Sequence, residues 1–383
     1  MTITKMVTVQ IDEDTISIDQ PEVWMKVVED KVSSALKEVG REVISEAFNG
    51  ITRSKAPNRG VKEWASRWVK TLWGDIRVTF PRPRARAFPR MSIPSVTPGL
   101  ASMVLELCAR YPFRQVGQLF RSIVGIRIPR ATLWKEFQLQ AEKLPEFPGV
   151  ESHPADRVVI EADGTMISLQ DGQRAEAKIC LAFRERRDHR LLGKLVYASM
   201  EPAAPFNQQA ADLIRRKYRV DIKTRGVVIG DGAAWIESLR DEHFPQMRLQ
   251  LDLSHALRRA GEFLSHLSED ERDTVMGGLK IFIHARDWPG FRDRLIKARK
   301  TASYSQAFWD WMGFLRQRWE QLVGFLDHRG PLSEKTSSPC EKYVDLVINR
   351  RLNIPGASWS IRGAGNILRV RNHLFNGGFR IQK

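Results

Sequence analysis

The run Arg157-Val158-Val159-Ile160-Glu161-Ala162-Asp163-Gly164-Thr165 decides how the rest of the chain reads. Its β-branched residues favour an extended backbone, so Arg157–Ala162 reads as a strand leading into Asp163, with Met166–Leu169 extending it. Further on, Gly226–Ile229 is a second such strand. It also ends on an acid, in Gly230-Asp231-Gly232, and enters a helix at Ala233-Ala234-Trp235-Ile236. Between the two lie strands Ala175–Arg184 and Leu191–Ser199, joined by a charged stretch over residues 185–190, and then a helix over Asn207–Tyr218. A fifth strand, Met247–Leu251, ends in Asp252-Leu253-Ser254-His255 and gives way to more helix.

Three meandering strands, a helix, a strand, a helix and a strand is the order of a ribonuclease-H-like α/β fold with a mixed five-stranded sheet. Asp163 and Asp231 then sit where adjacent strands bring them together. Acidic oxygens gathered in this way suit a pair of hard divalent cations about 3.5–4 Å apart. One ion activates the attacking hydroxyl and the other stabilises the leaving oxygen of a phosphodiester displacement. Either Asp-Gly alone is an ordinary turn signal. A dinucleotide site at Gly230-Asp231-Gly232 lacks the G-x-G-x-x-G that should follow a strand. A third carboxylate is expected on a helix packed against the sheet. Cys340–Leu352 is such a helix, with Glu341 at its start and Asp345 one turn on, facing the same way. Glu341 reads equally as an acid favoured in a helix's first turn, and spacing does not choose between these. From Ala256 to about Leu326 the chain is helical and rich in Trp and Arg (Trp288, Trp309, Trp311, Trp319), which reads as an all-helical insertion.

Toward the N-terminus, Pro145, Pro148, Gly149 and Pro154 form a linker and the best domain boundary. Ahead of it, Pro98–Tyr111, Phe113–Val124 and Pro129–Leu144 read as three helices. The tight break at Gly125 and the cations Arg127, Arg130 and Lys135 suit a helix-turn-helix, although an ordinary three-helix unit is at least as common. Residues 53–90 are strongly basic, opposed only by Glu63 and Asp75. Trp64 and Trp68, four apart, suit one helix face, and Ile76–Phe80 is a short strand. Pro81-Arg82-Pro83-Arg84-Ala85-Arg86 is extended by its prolines, either as a solvated linker or as an arm following phosphates. The first segment reads as a hairpin of strands Met6–Ile11 and Thr15–Ile18, followed by a helix from Pro21 to about Phe48.

Lys and Arg number 61 against 45 Asp and Glu, a formal charge of +16 that points to nucleic acid as partner. The apolar runs fall short of the roughly 18 residues that span a bilayer, and the first residues have no apolar signal core. The expectation is therefore a cytoplasmic, nucleoid-associated protein without membrane contact. Three scattered cysteines support neither a disulfide framework nor a zinc site.

Glu161-Ala162-Asp163-Gly164-Thr165, Gly230-Asp231-Gly232-Ala233-Ala234-Trp235-Ile236 and Leu251-Asp252-Leu253-Ser254-His255 together resemble the DDE transposases of bacterial insertion sequences, the Mutator-like branch above all. Glu341, Asn349-Arg350-Arg351-Leu352, Ala357-Ser358-Trp359-Ser360 and Gly363-Ala364 are similar to that family's final signature. The resemblance runs over roughly residues 70–375. It implies catalytic, metal-holding acids at Asp163, Asp231 and Glu341, with two Mg²⁺ ions, for which Mn²⁺ can substitute. It also implies cleavage and strand transfer of double-stranded DNA at terminal inverted repeats, by a homodimer or higher homo-oligomer. The family's His falls on His255, without the Cys that many relatives carry; a lone His at a strand end is more often structural. Asp252 either supports the site from behind or caps the helix that follows. Arg350, Arg351 and Arg362 read as phosphate contacts or as solvated charges. The expected organisation is an N-terminal hairpin and helix at 1–52, concerned with dimerisation, and a mainly helical DNA-binding region at 53–148. The catalytic core follows at 149–256, the insertion at 257–335, and the final helix and tail at 336–383. The rival readings are a nuclease with the same acids and a transposase-derived DNA-binding protein that no longer cleaves.

Overall fold

In the computed structural model the chain divides into two units, Met1–Lys143 and Leu144–Lys383. The described residues are 2–10, 21–56, 60–84, 95–147, 149–188, 190–298 and 306–377. Among them no helix is long and apolar enough to cross a membrane.

The N-terminal unit begins with helix α1 (Pro21–Ser54), which runs past the expected end at Phe48. Residues 6–10 form no strand. They are mostly exposed, and a short strand with no face to bury is not held in place; Ile11 and the second expected strand lie outside the described residues. The basic stretch forms a hairpin of β1 (Val61–Thr71) and β2 (Gly74–Pro83). Trp64 and Trp68 therefore lie on a strand, not on a helix. Their spacing of four is even, so it puts both on one face of a strand as readily as of a helix. The other face of the hairpin supplies Val69, Ile76 and Val78, which pack with Ile44 and Phe48 of α1. Next come α2 (Pro98–Arg110), α3 (Phe113–Leu119) and α4 (Arg130–Lys143), close to the expected bounds. A π-type turn over Phe120–Val124 prolongs α3 and closes on Gly125, whose φ of 73° suits glycine. Phe113 binds these helices edge-on to Trp134 and Phe137.

The C-terminal unit is mixed α/β. Its five main strands are β3 (Arg157–Ser168), β4 (Arg174–Phe183), β7 (Leu195–Ser199), β8 (Arg225–Gly230) and β9 (Arg248–Leu251). They lie in the order β7-β4-β3-β8-β9. β4 is antiparallel to β3 and β7, while β8 is parallel to both β3 and β9. The charged stretch after β4 contains a small hairpin, β5 (Glu185–Arg187) with β6 (Arg190–Leu192), that its polar sequence did not announce. Side chains alternate across β3. Val158, Ile160 and Ala162 enter an apolar core with α5 (Ala203–Tyr218) and α6 (Ala234–Ser238). Val159, Glu161 and Asp163 face the other way.

Between β9 and the last helices lies a helical block: α7 (Leu253–Phe263), α8 (Glu269–His284), α9 (Trp288–Ala298), α10 (Gln306–Gln317) and α11 (Trp319–Val323). It has its own core, in which Trp288, Phe291 and Trp319 pack ring on ring. A capping box of Ser268 and Glu271 starts α8. Three ties dock the block on the sheet. Gln250 donates to the Leu322 carbonyl at 2.8 Å, Arg318 pairs with Glu237 at 2.8 Å, and the Phe314 ring lies against Gly232. Gly232 has φ +91°, and a Cβ there would run into that ring. Gly232→Ala should therefore cost about 2 kcal/mol from backbone strain and overpacking, read as a lower urea midpoint. An unchanged midpoint would show that α10 does not bear on this loop.

Candidate active site

β3 and β8 are in parallel register from Arg157↔Arg225 to Glu161↔Ile229. Two residues beyond the last pair on each strand stand Asp163 and Asp231, near enough for the Asp231 charge to act on Asp163. Asp163 remains paired on its other side, facing Ile179 of β4, and its Oδ1 accepts from the Gly164 amide at 2.7 Å. Asp231 is exposed in the loop after β8 and its Oδ1 accepts from the Ala233 amide at 3.0 Å. The Glu176 carboxylate lies over Gly164.

The third acid arrives on α12 (Ser338–Tyr343), which continues through a π-type stretch, Val344–Asn349, into the short α13 (Arg350–Leu352). Glu341 lies in the first turn of α12, and its Oε1 is 3.3 Å from Arg258 and 3.5 Å from the His255 ring. The opposite ring nitrogen of His255, Nδ1, is 2.9 Å from Asp252 Oδ2. Asp252 is buried, and the helix cap expected as one of its two readings is present. It caps α7, accepting from the Ser254 and His255 amides, and it orients His255. It also accepts from the Ser337 amide at 2.9 Å and from the Ser337 hydroxyl, fixing the residues just ahead of α12. Burial alone would raise its pKa, but hydrogen bonds from His255, Ser254 and Ser337 hold it well below the usual carboxylate range. The bond to Asp252 raises the pKa of His255 against its partial burial. Asp345, the alternative third acid, pairs instead with Arg350 at 2.8 Å on the surface.

Burial pushes the Asp163 carboxyl up to about 6, and the charges of Asp231 and Glu341 add to the rise while His255 opposes it. The three acids thus share one electrostatic neighbourhood, with His255 and Arg258 beside Glu341. Their oxygens are the donor class of hard divalent cations, so they fit Mg²⁺ in kind and in charge. They are not drawn together around one point. Among the described residues no three Asp, Glu, His or Cys side chains are gathered as a metal site. A cavity of ≈ 240 Å³ opens here, lined among others by Asp231, His255, Arg258, Arg259, Trp311 and Phe314.

The C-terminal signature has structural work. The Trp359 amide donates to the Ser168 carbonyl and its indole to the Leu352 carbonyl, which stitches this segment to the end of β3. Ser360 caps α14 (Ile361–Phe375) by accepting from the Gly363 amide at 3.1 Å. Arg351 is buried, 1% exposed, with its guanidinium over the Trp359 ring. It belongs to the core and not to a phosphate-binding surface, because an arginine can bury its charge by lying on an aromatic face. Arg350 and Arg362 are exposed, as are Arg127, Arg130 and Lys135 in the N-terminal unit. Arg82 is exposed and paired with Glu63, Arg84 is exposed, and Arg86 lies outside the described residues.

Sequence reasoning missed Arg258 and Glu161. Arg258 is three residues after His255, a spacing that puts both on one face of α7. Glu161 is fully buried in the central strand, and its Oε2 accepts from the Cys340 amide at 2.8 Å. Burial raises its pKa well above the ordinary range, against the lowering effect of that hydrogen bond. The signal was a lone acid inside an apolar strand, two residues before Asp163 and on the same face.

The many bonds converging on Asp252 give a stability prediction. Because its pKa is lower folded than unfolded, its contribution is present above the unfolded value, near 4, and is lost as the pH falls from there toward the folded value. Asp252→Asn should lower unfolding free energy by about 2–3 kcal/mol at pH 5–6. In urea titrations at several pH values, the gap from wild type should close below about pH 4; a gap that stays constant down to pH 2 would contradict the assignment.

None of the curated proteins matches the chain. Residues 148–382, well over half of it and including every element of the candidate site, match the model of UPF0236, an uncharacterised protein family. The chain belongs to the UPF0236 family.

Proposed function

We propose that this protein is a DDE-type DNA transposase with a ribonuclease-H-like catalytic unit, in which the helical block α7–α11 is an insertion between β9 and the helix of the third acid. The observation that supports this reading is that Asp163 and Asp231 follow the last β3–β8 pair by two residues each, and that the charges of Asp231 and of Glu341 on α12 both act on Asp163. Asp163, Asp231 and Glu341 would hold two Mg²⁺ or Mn²⁺ ions. When bound, such ions activate the attacking hydroxyl and stabilise the leaving oxygen.

The chain's own groups do the rest. Glu341 has to exchange its contacts with Arg258 and His255 for a role beside the aspartates, and Asp252 keeps His255 oriented meanwhile. Arg258, 58% exposed at its side chain, can then meet a phosphate of the DNA. Arg127, Arg130, Lys135, Arg350 and Arg362 are exposed cations for further phosphates, which position a duplex without reading its sequence. Hydrolysis frees a 3′-hydroxyl at the element's end, and that hydroxyl attacks the target strand, displacing the 3′ oxygen of a target phosphodiester. Two ends must be paired for joining, which calls for a homodimer or larger assembly on DNA in the cytoplasm.

A DNA-binding relic that no longer cleaves is the second reading, favoured by the pairing of Glu341 with Arg258 and His255. A labelled duplex carrying the element's end separates the two. With Mg²⁺, wild type should nick at the end and join it to target DNA, while Asp231→Asn loses at least about 100-fold in rate and still binds DNA. Tight binding without cleavage in Mg²⁺ or Mn²⁺, indifferent to Asp163→Ala, would leave the relic. Cutting without joining would leave a nuclease.

A further inference from the structure

Glu161 is the least expected residue of the C-terminal unit. It sits on the central strand, paired with Leu181 on one side and Ile229 on the other, and is completely buried. One carboxyl oxygen accepts from the Cys340 amide at 2.8 Å, while the other is buried with no hydrogen-bond partner. Separately, the Cys340 thiol lies 3.7 Å from the Glu161 carbonyl oxygen. An acid held this way costs stability, because desolvation of the second oxygen goes uncompensated. The sheet would be more secure with an apolar residue of similar size here.

What the acid supplies is a tether at a particular place. Its strand neighbour two residues on is Asp163, on the same face, and its hydrogen-bond partner is the residue before Glu341. The amide it takes belongs to the first turn of α12, where backbone donors have no partner within the helix. Few other bonds locate this turn: Ser337 on Asp252 holds the residue ahead of it, and the Glu161 bond holds the turn itself.

We propose that Glu161 is a positioning residue, which by clasping the Cys340 amide to the central strand sets the distance of Glu341 from Asp163 and Asp231. The inference rests on the transposase reading of those three acids. It concerns the hydrogen-bond acceptor and not the charge, so an amide at the same place serves nearly as well. It also separates the clasp from the thiol, whose removal leaves the amide bond intact.

The test uses the full-length chain with Glu161→Gln, Glu161→Leu, Glu161→Asp and Cys340→Ala. Each is read by single-turnover cleavage of the end duplex, by Mn²⁺ binding in electron paramagnetic resonance without DNA, and by melting temperature. Glu161→Leu, which keeps volume and removes the acceptor, should lower the cleavage rate about 10–100-fold and weaken Mn²⁺ binding about tenfold, with the affinity for DNA unchanged. Glu161→Asp withdraws the acceptor while keeping the acid, and should show the same losses if the leucine variant does not fold. Glu161→Gln should recover the rate to within about threefold of wild type, and Cys340→Ala should leave Mn²⁺ binding intact. Full rate and full Mn²⁺ affinity in Glu161→Leu or Glu161→Asp would overturn the proposal. So would a glutamine variant as impaired as the leucine one. Wild type that binds Mn²⁺ but cuts nothing sinks the transposase reading alone, since the variants then still report on the clasp. Wild type that neither cuts nor binds overturns both.

Discussion

Backbone hydrogen bonds hold β3 on both edges through Glu161, but β8 ends at Gly230, so beyond Glu161 that edge is left by its neighbouring strand until the Trp359 amide meets Ser168, while the β4 edge stays paired throughout. That step in the sheet is the constraint on which the site depends. It leaves one edge of β3 uncovered where Asp163 stands, and into the gap come the Asp231 loop from one side and α12 from the other. A slip of one residue in the β3–β8 pairing would turn Asp163 into the apolar layer under α5 and α6. The apolar alternation of Val158, Ile160 and Ala162 forbids that slip. Hydrophobic burial on one face therefore aims the acids on the other.

The surroundings of the acids trade one electrostatic debt against another. The Asp163 carboxyl is raised by burial and by two neighbouring carboxylates, while Glu341 lies against Arg258 and His255. His255 is in turn held by Asp252, whose own burial is offset by bonds from Ser254 and Ser337. The chain Asp252–His255–Glu341 thus links the end of β9, the start of α7 and the start of α12. The helical block enters the same arrangement through Phe314, which lies on Gly232 next to Asp231.

How much of this the sequence reveals depends on what fixes each feature. The main strands and α2 to α4 are legible because β-branched runs, helical stripes and Gly or Pro breaks all agree at each of them. Trp64 and Trp68 mislead because a spacing of four satisfies both periods, and the pairing that decides between them is with Pro81 and Arg77 on β2. Arg351 misleads because residue type says surface, while its aromatic partner, Trp359, is supplied only by the fold. The elements that carry the three acids are readable, with Asp231 just after β8 and Glu341 at the start of α12, although β3 runs on through Asp163 where its first stretch reads from the sequence as ending at Ala162. The contacts of the acids are not, because Arg258, Glu161 and Ser337 come to the site from separate elements. The π-type stretches at Phe120–Val124, Leu239–His243 and Val344–Asn349 carry no sequence signal that would set them apart from ordinary helix.

The far edge of the sheet is closed in an unusual way. Asn372 and Asn376, one turn apart on and just after α14, each accept from a β7 amide and donate to its carbonyl, at Ala198 and Val196. Two side-chain amides thereby stand in for a sixth strand, and an exposed edge that could recruit another chain is blocked. The blocking residues are made well after the edge they cover. On a ribosome adding roughly 5–20 residues per second, the β7 edge emerges on the order of 10–35 s before its cover does. A nascent chain must therefore guard an open edge while everything between β7 and the end of α14 is made, and a message cut short before Asn372 yields a sheet that stays adhesive.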